Sequence, residues 1–109
     1  MNFTEYNNTL RCIFSGKLDT LTCSNLEDAL NKRIISFLEK QDVACLIFDL
    51  SDVDYVSSAF LRLCLCYFKS AGKKNFRIEN PTQDVQKVFQ IFGFAEIMNI
   101  ASSGSKIVS

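Results

Sequence analysis

The chain has no histidine, one proline, four glycines and no excess of either charge. Each scarcity removes a class of function. Without histidine the commonest general base near neutral pH is missing, and so is the commonest metal ligand. The five cysteines form no CxxC pair, so a zinc site has no support. With 12 basic and 12 acidic residues the formal charge is zero. A nucleic-acid binder ordinarily carries a basic excess on one face, and the cations here are scattered apart from Lys32-Arg33 and Lys73-Lys74. A charge near zero also gives little colloidal repulsion, so weak self-association is expected. The few glycines are separated, which leaves no phosphate-cradling loop. No apolar run is long enough to span a bilayer, and Met1–Tyr6 lacks the basic and apolar regions of a signal peptide. The expectation is a cytoplasmic protein without membrane insertion, its cysteines reduced and acting as small apolar groups.

What is present is apolar content, 48% of 109 residues. That suits one domain with a proper core. Phe3–Tyr6 and Leu10–Ser15 read as two strands of a hairpin around Asn7-Asn8-Thr9, with Gly16 closing the second. Leu26, Leu30, Ile34, Phe37 and Leu38 recur at helical spacing. With Ser24 and Glu27 as a capping box, they predict a helix from about Ser24 to Lys40. Val43–Leu50 is a continuous apolar run of strand length, as in a strand buried on both faces. A helix then starts near Ser57 or Ser58, shows Leu61, Leu65 and Phe68 on one face, and stops at Ala71-Gly72. Asn75–Ile78 is a short strand. Thr82 caps a helix carrying Val85, Val88, Phe89 and Phe92, which ends at Gly93, and Glu96–Ile100 is a last strand. The order β-β-α-β-α-β-α-β implies a sheet with helices packed on it. Residues 1–101 form the expected domain, and 102–109, rich in serine, the expected flexible tail.

The densest chemistry lies in Phe48–Arg62. An apolar strand enters an acidic turn of Asp52 and Asp54, which delivers Ser57 and Ser58 to the start of an apolar helix. A helix start has free N–H groups and the positive end of the dipole. A hydroxyl there can cap the helix or carry a phosphate. The acidic residues lack a calcium-loop spacing, and Cys64 and Cys66 have no neighbour that would lower a thiol pKa. No catalytic residue, metal ligand or cofactor site is expected, and the chain reads as a non-enzyme.

Three segments resemble the STAS domain family of bacterial anti-sigma factor antagonists. Gly16-Lys17-Leu18-Asp19 is similar to the family's Gly-x-Leu-Asp after the second strand. Phe48–Ala59 resembles its strand followed by Asp-Leu-Ser, an aromatic or apolar pair and Asp-Ser-Ser/Ala-Gly-Leu. Val85–Phe94 is similar to its late helix ending in Gly-Leu. The resemblance implies an α/β fold with a four- to five-stranded mixed sheet and three main helices. It places Ser58 at the phosphoacceptor and implies an anti-sigma kinase or related ATPase as partner. The implied partner surface comprises Asp19, Thr20, Ser57, Ser58, Phe60 and Arg62. Two positions depart from the pattern: Ser57 stands where the family has Asp, and Phe60 where it has Gly. Phe60 either adds bulk to that surface or faces the core; the sequence leaves both open. The family also includes scaffold subunits of lipid-trafficking ABC transporters and interaction domains of stress-signalling assemblies, which are the alternative expectations.

Overall fold

The computed structural model describes residues 1–40 and 43–101. The strands β1 (Asn2–Tyr6), β2 (Thr9–Leu18), β3 (Cys45–Val56), β4 (Phe76–Glu79) and β5 (Asn99–Ala101) form one sheet in the order β1-β2-β3-β4-β5. β1 and β2 are antiparallel, and every other neighbouring pair is parallel. The helices are α1 (Thr20–Lys40), α2 (Ser58–Ala71), α3 (Gln83–Ile91) and the single-turn α4 (Phe94–Ile97). This is the sheet with packed helices expected from the alternation of patterns, and the mixed sheet that the resemblance implied, with a fourth, short helix added. The tail expected over 102–109 lies outside the described residues.

Alternation along the strands builds the core. Leu10, Cys12 and Phe14 of β2 share a face with Leu46, Phe48 and Leu50 of β3 and with Phe76 and Ile78 of β4, and all are buried. The helices cover that face. α1 contributes Cys23, Leu30, Ile34 and Phe37, and α2 contributes Phe60, Leu61, Leu63, Cys64 and Tyr67. Phe48 is the hub, with ring centroids 5.0 Å from Phe14, 5.1 Å from Phe76 and 6.0 Å from Tyr67, all edge-on. Such pairs add roughly 0.5–1.5 kcal/mol each beyond the area they bury. The opposite face is polar. Ile47 is buried there outside the main core, in register between Arg11 and Arg77. Beside it Arg11 pairs with Asp49 at 3.1 Å and Glu79 at 2.8 Å, and Arg77 with Glu79 at 2.9 Å.

Several boundaries differ from the expectation, each for a physical reason. β2 does not stop at Gly16. It runs through it to Leu18, and the register with β3 shifts on both sides of the glycine, whose φ is +78°. A β-bulge is where glycine's access to positive φ is needed. β3 accordingly runs on to Val56, so the segment expected as an acidic turn is strand. Ser51, Asp52, Asp54 and Tyr55 are exposed there, while Val53 and Val56 turn inward. α1 starts a turn earlier than the Ser24–Glu27 box. The Asp19 carboxylate accepts from the Thr22 N–H at 2.8 Å, and the Asp19 carbonyl accepts from the Cys23 N–H at 3.0 Å. The last strand is only Asn99–Ala101, because Glu96 and Ile97 belong to α4. The ends of α2 and the cap of α3 fall close to expectation. Gly72 follows α2 at φ +96°, ψ 151°, a region essentially confined to glycine, and Thr82 accepts from the Val85 N–H.

Candidate functional site

The carboxyl ends of β2 and β3 are adjacent, with Leu18 in register with Val56. Each strand feeds directly into a helix, so the N-termini of α1 and α2 emerge side by side. The Leu18 carbonyl ties them together. It accepts from the Ser57 N–H at 3.0 Å, from the Ser57 hydroxyl at 2.8 Å, and from the Cys23 thiol at 3.7 Å.

The two serines therefore part company. Ser57 is the N-cap of α2. Its Oγ accepts from the Phe60 N–H at 3.4 Å while its hydroxyl proton goes to Leu18, and only 8% of the residue is exposed. Ser58 is the first helical residue and is exposed. The cap is thus Ser57, which decides between the two helix starts that the sequence offered. The cap has to come from the last non-helical residue, because only that geometry turns the side chain back onto the first turn. What Ser58 has instead is solvent access, beside first-turn N–H groups that a helix cannot satisfy internally.

Phe60 settles the alternative left open by the sequence. It is fully buried, with ring centroids 5.1 Å from Phe14 and 6.1 Å from Phe48. Its side chain and that of Ser57 face inward and are not part of the exposed surface on which the resemblance placed them. Asp19, Thr20, Ser58 and Arg62 are exposed and lie on the two helix starts. Thr20 and Arg62 also line a cleft of about 270 Å³ between α1 and α2, together with Cys23, Ser24, Glu27, Ala59, Leu63 and Cys66. Leu21 is 71% exposed in the first turn of α1, and Tyr55 is half exposed at the end of β3. Sequence reasoning named Thr20 but missed the exposed Leu21 and the rest of the α1 wall, because it began α1 at Ser24. A helix begun at Asp19 puts Leu21 off the stripe of Cys23, Leu30, Ile34 and Phe37, and that is the signal that could have found it.

Titratable groups at the helix starts are shifted by local hydrogen bonds and by burial. The backbone N–H of Thr22 holds the Asp19 carboxyl below its usual range. Burial raises the Cys23 thiol, and raises that of the fully buried Cys64 well above the ordinary value. Among the described residues, no group of three or more potential metal ligands comes together. No helix among them is long and apolar enough to cross a membrane.

A sheet whose parallel strands end in paired helix starts, with one serine turned inward and its neighbour exposed, defines a small α/β domain. The STAS domain profile matches residues 2–106, and the chain belongs to that family. Among solved structures it is similar to the anti-sigma factor antagonist SpoIIAA in its unphosphorylated form, at 19% identity and a TM-score of 0.73 over 97% of this chain and 91% of that one. It is similar to a candidate anti-sigma factor antagonist of Thermotoga maritima, at 17% identity and a TM-score of 0.76 over 98% and 90%. It is also similar to the phosphorylated form of the Bacillus cell fate determinant SpoIIAA, at 17% and 0.64 over 98% and 96%. At these identities the likeness establishes the fold. No curated protein matches the chain.

Proposed function

We propose that this STAS domain is a regulatory binding module of the anti-sigma factor antagonist type, switched by phosphorylation of Ser58. Its partner is an anti-sigma kinase or a related ATPase, met by the starts of α1 and α2 through Asp19, Thr20, Ser58 and Arg62. The observation that carries this reading is the division of labour between the serines. Ser57 alone supplies the cap and the tether to Leu18, so Ser58 is free to be modified without loss of either.

In the modification step the Ser58 Oγ attacks the γ-phosphorus of ATP. The new Oγ–P bond replaces the bond to the bridging oxygen, ADP leaves, and the hydroxyl proton passes to a base of the kinase. The product carries roughly −1.5 to −2 charges at a surface that otherwise presents a neutral hydroxyl. Burying that charge in a partner interface without a matching cation is costly, so the complex dissociates. The helix N-terminus stabilises the same charge in the free domain, which favours dissociation further.

Incubation with a cognate kinase and ATP, followed by peptide mass spectrometry, tests the reading. Phosphate on Ser58 is expected. Phosphate on Ser57 alone would overturn the assignment, since that hydroxyl is buried. A domain that stays unmodified and binds its partner with equal affinity as Ser58→Ala and Ser58→Asp would instead be a constitutive scaffold.

A further inference from the structure

Arg62 lies one turn after Ser58 on α2, at the i, i+4 spacing that puts the two side chains on one face. Their Cβ atoms are then about 5–6 Å apart. Side chains on a helix lean toward its N-terminus, so the Arg62 side chain extends back over the turn that Ser58 begins. Both residues are exposed. Among the described residues Arg62 makes no ion pair, whereas Arg11, Arg33 and Arg77 all do. The α1 groups that share its cleft are Thr20, Cys23, Ser24 and Glu27, and Glu27 supplies the one carboxylate lining it.

We infer that Arg62 is the intramolecular clamp for a phosphate on Ser58, a positioning role that rests on the switch proposed above. A flexible cation one turn from the modified hydroxyl has two fates. With Ser58 unmodified, Arg62 is available to a partner across the cleft. With phosphate in place, the guanidinium closes on its oxygens, forming the planar, charge-assisted contact that arginine makes best. A phosphate of nearly two charges competes for it more strongly than the single carboxylate of Glu27. One modification then changes two contacts: it adds charge at Ser58 and withdraws the cation at Arg62. The clamp also draws the phosphate along α2, over the helix start.

The test needs no kinase, so its outcome is separate from that of the proposed switch. Phosphoserine is installed at position 58 by semisynthesis of the full chain, and its second ionisation is followed by ³¹P NMR. The parent chain is compared with Arg62→Gln and Arg62→Lys. An ion pair favours the dianion, so the parent is expected to titrate lower than Arg62→Gln by about 0.15–0.4 pH unit. Arg62→Lys should recover part of that difference, and added salt should shrink it. The helix dipole is common to all three chains and cancels in the comparison. The unphosphorylated chains should unfold at the same urea concentration, because Arg62 is exposed. Coincident ³¹P titrations for the parent and Arg62→Gln would overturn the clamp. Failure of a kinase to modify Ser58 would overturn the switch and leave the ³¹P result standing.

Discussion

The hydroxyl of Ser57 donates to the carbonyl oxygen of Leu18 at 2.8 Å, across 39 residues of chain. This contact joins the end of β2 to the start of α2 and fixes which of two neighbouring serines faces the solvent. It also places the starts of α1 and α2 against each other.

Replacing Ser57 should therefore cost stability, and replacing Ser58 should not. Ser57→Ala removes the cap of Phe60 and one bond to Leu18, which retains the Ser57 N–H. A loss of about 1–2 kcal/mol is expected. Ser58→Ala should stay within about 0.5 kcal/mol, as for other exposed substitutions. Urea denaturation of the two variants checks the contrast, and equal losses would contradict the inward orientation of Ser57.

Phe60→Ala should behave as a core substitution. The ring fills the space between Phe14 and Phe48, so its removal is expected to cost about 3–5 kcal/mol. A chain that keeps full stability but loses partner binding would place Phe60 on the surface after all.

Partner binding should follow charge at the start of α2. Ser58→Asp is expected to abolish binding to the cognate ATPase, while Ser58→Ala retains it. The aspartate is favourable to the helix start, so the fold should survive. Calorimetry with the partner decides affinity, and circular dichroism verifies the fold.

The cap of α1 gives a pH signature. The Thr22 N–H favours the ionised Asp19 carboxyl and lowers its pKa from the usual 3.8. The sign follows from linkage: a depressed folded pKa contributes stability that is complete above the unfolded value and fades as pH falls through the folded one. Asp19→Asn keeps an oxygen for the cap and should remove this dependence. Urea midpoints measured between pH 7 and pH 2 should show the parent's advantage over Asp19→Asn shrinking as pH falls below 3.8.

Thiol reactivity should be ordered by burial. Cys66 is exposed, whereas burial pushes Cys12 up to about 12 and Cys64 well above its ordinary value. A thiolate-specific reagent should label Cys66 first and reach Cys12, Cys23 and Cys64 only on unfolding. Rapid labelling of Cys64 in the native protein would contradict the packing of α2 on the sheet.

The sequence by itself determined the five strands and three long helices, their order and most of the core. Leu30, Ile34 and Phe37 announce a helix face, and Val43–Leu50 a strand, although Val43 itself lies exposed before β3, because the periodicity of apolar residues records which side of an element meets the core. The Phe48–Arg62 segment also singled out the region of the candidate site. Tertiary structure decided the rest. The length of β3 depends on how far β2 runs beside it past Gly16, a pairing that local pattern does not record. The Ser24–Glu27 box put the start of α1 a turn too late, because Asp19 is also a good cap and the choice is made where β2 leaves the sheet. Ser57 and Ser58 are chemically identical neighbours. Only the Leu18 carbonyl, distant in sequence and adjacent in space, assigns one to the interior and the other to the surface.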